Sequence, residues 1–284
     1  MKNRRLASRS RTGHPGARPC GTRTTPPTGR RADETLARLV ADQFSYAFHL
    51  LHSRHHNIKA MLIGSDEPSG LPASSAGYTR AVLMIYDLWV THFSNRYVWR
   101  CSVEIHRDHY RKWIGKRHLE VGVGTGYYLS GATLREVQHV ALLDPNPLCL
   151  AAAKRRIGSV SCTTYCRDAL LPISIPEEPF DSIAVSYLLH CLPGPICNKA
   201  ILFENLAPLL SDTGVLFGST ILGAEVDHNR LGRQLMRIYN GKGVFDNEDD
   251  RFEDLKAILT RQFQNVRMEQ QGVVALFSAS VLRK

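Results

Sequence analysis

No run of this chain approaches the roughly 20 consecutive apolar residues that a membrane-spanning helix requires. The nearest candidate, AVLMIYDLWV, is short and interrupted by Asp87, so no membrane association is expected. Acidic residues are missing from the first 32 positions, which hold nine of the 36 lysines and arginines; the first carboxylate is Asp33. The other 27 basic residues face 26 acidic ones, so the net charge of +10 belongs almost entirely to a tail. The near-neutral body lacks the charge density that phosphate-backbone binding needs, and no nucleic-acid partner is expected. No C-x-x-C pair occurs among the seven cysteines, and their odd number argues against a disulfide framework. Several lie in apolar stretches, which suits reduced, buried thiols and a cytoplasmic protein. Cys162 and Cys166 are spaced to share one face of a strand, where core packing is expected rather than metal binding.

Residues 1–32, rich in Arg, Ser, Thr, Gly and Pro, cannot bury enough surface to offset their ordering entropy and read as a disordered basic tail. An acid-free, Arg- and Ser-rich start also suits a mitochondrial transit peptide, although its prolines and missing apolar face count against that. Residues 33–77 read as a helical N-terminal segment and linker, with Leu36, Leu39, Val40, Phe44, Phe48 and Leu51 at helical spacing. His49, His52 and His56 share one face of that helix. No matching cysteine or carboxylate pattern accompanies them, and solvent exposure is the expected role.

From residue 117 onward, short apolar runs alternate with helical patterns. RHLEVG, HVALLD, SCTTYC, FDSIAVSYLL and TGVLFGSTIL read as strands, with helices over YYLSGATLREV, PLCLAAAKRRI, CNKAILFENLAPLL, HNRLGRQLMRIY and DRFEDLKAILTRQF. NVRMEQQ and GVVALFSASV then form a hairpin around Gly272. The expected fold is α/β: a Rossmann-like, mostly parallel seven-stranded sheet with an antiparallel C-terminal hairpin and helices on both faces.

Glycine is concentrated where the first strand ends, in HLEVGVGTGYYL. In an open α/β sheet the ligand sits beyond the carboxyl ends of the strands, and glycine there admits a close backbone approach. A dinucleotide fingerprint, G-x-G-x-x-G, requires a third glycine where this chain has Tyr127. The stretch instead reads E-x-G-x-G-T-G, with Glu120, Gly122, Gly124 and Gly126 at alternate positions. It resembles motif I of the class I S-adenosylmethionine-dependent methyltransferases, and the order of later segments agrees over residues 78–284. The resemblance implies that S-adenosylmethionine is the cofactor and that Glu120 and the three glycines help bind it. It also implies that Asp144 accepts hydrogen bonds from the ribose hydroxyls. Asp168 and the Ala169 backbone, in CRDALLP, would meet the adenine. FDSIAVSYLLHCLP resembles the fourth motif, whose strand end, here at Ser186, lies beside the reacting sulfonium. YDLWVTHFSNRYVW resembles the Tyr-Asp segment of quinone-biosynthesis-type enzymes, which implies that Tyr86 helps hold the methionine end. The charged stretch RCSVEIHRDHYRKW between Trp99 and Trp113 matches nothing in that pattern.

The resemblance implies a methyltransferase acting on a small organic acceptor, such as a phenol, quinone-like ring or polyketide. Two alternatives are a protein or RNA methyltransferase that uses the basic tail for recognition, and a non-catalytic protein that kept the fold. SYLLHCL lacks the Asn/Asp-Pro-Pro-aromatic pattern that holds planar amino groups. A general base is needed only if the acceptor must lose a proton. His190, just after the fourth-motif strand, is the candidate because imidazole titrates near neutrality; Asp87 and His92 are weaker ones.

Overall fold

The computed structural model describes residues 94–283. The basic tail, the 33–77 segment, Tyr86, Asp87 and His92 lie outside them. Seven strands form one sheet: β1 (Arg117–Val121), β2 (His139–Leu143), β3 (Ser161–Tyr165), β4 (Phe180–Ser186), β5 (Leu210–Ile221), β6 (Phe263–Gln271) and β7 (Val274–Leu282). Their order is β3-β2-β1-β4-β5-β7-β6. The first five run parallel, and β7 pairs antiparallel with both β5 and β6. Five α-helices accompany them: α1 (Val103–Trp113), α2 (Pro147–Ile157), α3 (Ala200–Leu206), α4 (Arg230–Gly241) and α5 (Phe252–Gln262).

The central strands are apolar throughout because both of their faces are covered. Leu119, Val121, Ile183 and Val185 point into a core shared with Leu202 and Phe203 of α3 and Leu255 and Leu259 of α5. Val140, Leu142 and Ala184 point the opposite way, against Tyr110 of α1 and Cys149, Leu150 and Ala153 of α2. Strand β3 ends the sheet, and its face is exposed. The expected core packing holds for Cys162, which is half-buried and packs against the core under α2. It fails for Cys166, which lies beyond the strand's end, exposed, with its thiol directed to the Pro145 carbonyl at 3.3 Å.

Local sequence sets the helix limits. Pro147 opens α2, where Asn146 accepts a hydrogen bond from the Leu148 amide at 2.9 Å. Lys154, Arg155 and Arg156 fill its last turn, and Gly158, at φ +74°, ends it. Two helix expectations change. YYLSGATLREV forms only a 3₁₀ turn, Gly131–Leu134, because Gly131 takes φ +54° and Ser130 precedes the turn in extended backbone. The helix expected over 197–210 starts at Ala200 and tightens to a 3₁₀ turn at Ala207–Leu209, where Pro208 offers no amide hydrogen. The stretch without a match in the family pattern becomes α1, whose buried Val103, His106 and Tyr110 lie on one face.

Strand order reverses between the parallel neighbours β1 and β4: successive strands step one way to β2 and β3, the other way to β5. A crevice opens at such a point, beyond the carboxyl ends of β1 and β4. The candidate residues gather there.

Candidate active site

Residues 122–126 leave the end of β1 as a loop with three left-handed glycines, at φ +70°, +51° and +68°. Their surroundings differ. A β-carbon at Gly122 would come within 2.8 Å of the Leu188 side chain, and one at Gly126 within 2.8 Å of the Ala153 β-carbon on α2. Around Gly124 a β-carbon would meet nothing within 4 Å. Gly126 thus supplies the close loop–helix packing that the third glycine of a dinucleotide loop would have provided one position later. Gly124 faces open space.

Asp144, at the end of β2, is buried and ties this loop down. Its carboxylate accepts from the Asn146 amide at 2.8 Å and from the backbone amides of Gly124 and Val123. Burial nevertheless outweighs these bonds and pushes its pKa up to about 6. Two carboxylate oxygens carry about four acceptor positions, so capacity remains for vicinal hydroxyls. Asp168 lies beyond the end of β3, half-buried, and accepts from the Leu170 amide at 2.9 Å. The carbonyl of buried Ala169 accepts from Asn205 of the α3 region at 3.0 Å.

Glu120 is engaged inside the protein through both oxygens. Tyr110 donates to Oε1 at 2.7 Å and His118 Nε2 to Oε2 at 3.0 Å. The chain continues through Ser182, 2.8 Å from His118 Nδ1, to the Gly115 amide, which donates to the Ser182 hydroxyl at 2.8 Å. Burial and the Glu120 charge hold the Tyr110 phenol well above its ordinary pKa, so it remains a donor. Both oxygens of Glu120 are thus anchored from within the protein, beneath the loop.

Across the crevice, β4 ends at Ser186, and Tyr187 follows at φ +55° with its amide bonded to the Ser219 carbonyl. The Ser186 hydroxyl meets the Tyr110 phenol, whereas the hydroxyls of Tyr187 and Ser219 are buried and have no hydrogen-bond partner among the described residues. His190 sits in the next 3₁₀ turn, buried, with its ring edge-on to Phe245 at 4.5 Å and to Tyr187 at 5.6 Å. The Ile221 amide donates to His190 Nδ1 at 3.4 Å, so the neutral ring carries its hydrogen on Nε2. Burial, helped by Lys199, lowers its pKa to about 3. The residue expected as general base is thus a neutral imidazole whose Nδ1 lone pair already accepts the Ile221 amide, which leaves Nε2–H as a donor.

Residues 119–214 match a protein-family profile described as "Methyltransferase domain". The putative uncharacterized protein YbcY of Escherichia coli (strain K12) is 44% identical over 190 residues, covering 66% of this chain and 97% of that protein. The physcion biosynthesis cluster O-methyltransferase of Aspergillus chevalieri is 38% identical over 204 residues, covering 71% of this chain and 92% of the fungal protein. The demethylluteothin O-methyltransferase of Streptomyces thioluteus is 37% identical over 205 residues, covering 72% and 89%. This chain belongs to the S-adenosylmethionine-dependent methyltransferases. An O-methyltransferase family protein from Burkholderia thailandensis shares the fold, with a TM-score of 0.53 at 14% identity over 83% of this chain and 70% of that one.

The methyltransferase's own residues suit that cofactor. Open space before Gly124 adjoins a buried carboxylate with unused acceptor positions, and unpartnered hydroxyls stand at the end of β4. Sequence reasoning missed the aromatic wall of the site. Tyr110, Tyr128, His106 and Tyr187 stack face to face in a column, with successive centroids 5.2, 5.3 and 4.8 Å apart. Two of the four come from α1, where the spacing of Val103, His106 and Tyr110 carried an amphipathic signal.

Proposed function

We propose that this methyltransferase transfers a methyl group to a hydroxyl oxygen of a small, largely aromatic molecule. The observation that carries the reading is the pairing of the open Gly124 face with a buried column of stacked rings that runs from Tyr110, under the loop, to Tyr187 at the end of β4. Flat rings on the wall suit a flat acceptor, since offset stacking adds to burial of the ring. The O-methyltransferase names of the Aspergillus and Streptomyces relatives support the same chemistry. A place in secondary metabolism agrees with those names, and the free cysteines suit a reducing compartment such as the cytoplasm.

The cofactor supplies a methyl group activated on a sulfonium. The chain's residues then position and shield. Gly124 gives its bare backbone to the cofactor's approach, with Gly122 and Gly126 setting the course of the loop. Asp144 holds the ribose hydroxyls; Asp168 and the Ala169 amide hold the adenine. Ser186 borders the methionine portion, and Tyr86 contributes at its far end. Glu120 acts from beneath by fixing the loop through Tyr110 and His118. The Nε2–H of His190 donates a hydrogen bond to a polar group of the acceptor, and the apolar walls exclude water.

Calorimetric titration with S-adenosylhomocysteine tests the cofactor assignment. Binding by the parent protein, lost in Asp144→Ala and Gly124→Val, is the expected result. No binding, or equal binding by both variants, overturns it. A labelled-methyl assay over phenols, enols and amines then tests the acceptor class.

A further inference from the structure

The column of rings holds a histidine whose free nitrogen the chain does not use. His106 is 1% exposed and lies between Tyr128 and Tyr187, its ring tilted 16° and 26° from theirs. Its Nδ1 is 3.1 Å from the Ser102 carbonyl oxygen. A carbonyl only accepts, so Nδ1 carries the hydrogen and Nε2 presents a bare lone pair. That lone pair is buried and has no partner. An unmatched buried acceptor costs on the order of 1–3 kcal/mol, which a partner arriving from outside the chain would relieve.

The surroundings point to a polar partner at the reacting end of the crevice. Tyr187 directly follows the end of β4, and its unpartnered hydroxyl shares a neighbourhood with Cys101 and the Tyr128 phenol. Asn95 donates to that phenol at 3.1 Å, while its own carbonyl oxygen is buried and unmatched. Four such atoms among the described residues, on Asn95, His106, Tyr187 and Ser219, belong to this end of the sheet and to the two segments packed over it. The two buried histidines hold opposite tautomers: Nε2 of His190 carries a hydrogen, that of His106 a lone pair.

We propose that His106 Nε2 receives the hydroxyl hydrogen of the methyl acceptor. This rests on the O-methylation reading. As the acceptor oxygen forms its bond to the methyl carbon, the carbon–sulfur bond breaks and its electron pair stays on sulfur. The O–H bond breaks in turn, its electrons remain on the ether oxygen, and the proton passes to Nε2. The resulting imidazolium returns that proton to solvent when the product leaves. Burial holds the free imidazole's pKa down to about 4, so the lone pair is available at every physiological pH.

The test uses the full chain saturated with S-adenosylhomocysteine, with 2-naphthol and 2-methoxynaphthalene as probes that differ by one hydroxyl hydrogen. The parent protein is expected to bind the naphthol about tenfold more tightly, close to 1.4 kcal/mol. His106→Phe keeps a ring between Tyr128 and Tyr187 but no acceptor. It is expected to bind S-adenosylhomocysteine normally and to lose the preference. His106→Gln places an amide oxygen near the Nε2 position and is expected to recover part of it. A parent protein with no preference overturns the proposal, as does a His106→Phe variant that keeps it. Loss of S-adenosylhomocysteine binding in His106→Phe also overturns it, because the histidine would then act through the fold. Failure of the parent to bind S-adenosylhomocysteine sinks the underlying function instead.

Discussion

A β-carbon on Gly126 would stand 2.8 Å from that of Ala153, whereas two residues earlier the same atom on Gly124 would touch nothing. Two glycines of one motif therefore do different work. Gly126→Ala should lose about 2 kcal/mol of stability through left-handed backbone strain and overpacking. Gly124→Ala should lose about 1 kcal/mol from backbone strain alone. Its S-adenosylhomocysteine affinity should nevertheless fall about tenfold or more, close to 1.4 kcal/mol. Urea titration and calorimetry on both variants separate the effects; equal profiles would contradict the division.

Asp144 makes cofactor binding sensitive to acid. Its pKa is raised to about 6, so the carboxylate loses its charge as pH falls through that value. Affinity for S-adenosylhomocysteine should be constant from pH 7 to 8 and decline below about 6. In Asp144→Asn the residual affinity should show no step there. A parent titration that stays flat down to pH 5 would show that the carboxylate charge is not needed.

Histidines held in the interior, His106 and His190 buried and His109 half-buried, dominate the stability profile. The pKa values of His106 and His109 are held near 4 and that of His190 near 3, each chiefly by burial. An unfolded histidine titrates at about 6.5. Below that pH the unfolded chain binds more protons, so acidification destabilises the fold through these groups. Asp144 works in the opposite sense, because its native pKa exceeds the unfolded value and its protonation favours the fold. Burial also lowers the pKa of His228 and raises that of Asp250, so four histidines oppose two carboxyls, and the melting temperature should fall between pH 7 and 5. A rising melting temperature over that range would contradict the histidine assignments.

Lys199 forms a buried ion pair with Asp250, at 2.7 Å, and donates to the Asp246 carbonyl at 2.6 Å. Lys199→Met would leave the Asp250 carboxylate buried without its cation, at a cost of about 3–5 kcal/mol. The double variant with Asp250→Leu should recover most of that loss in chemical denaturation. If it does not, the pair contributes through packing and not through charge.

Much of the fold was legible because it rests on patterns of neighbouring residues. The continuous apolar runs of β1, β2 and β4 announced strands covered on both faces, and Pro147 and Gly158 marked the limits of α2. The glycine loop, Asp144 and Asp168 stood at strand ends, where a ligand is expected. The roles of Glu120 and His190 were not legible, since each depends on a distant partner. Tyr110 and His118 occupy the oxygens of Glu120, and the Ile221 amide, 31 positions away, fixes the His190 tautomer. Cys166 was misplaced because spacing carries no information about where the last strand of the sheet stops.

Helix α1 ties the two halves of the crevice into one rigid body. His106 and Tyr110 stand one turn apart on its buried face; one stacks on Tyr187 at the end of β4, and the other bonds to Glu120 beneath the glycine loop. A shift at one end would disturb the contact at the other, so a ligand that settles one wall should change the affinity of the opposite wall. Thermodynamic linkage makes that influence mutual: cofactor and acceptor should each tighten the other's grip by the same factor.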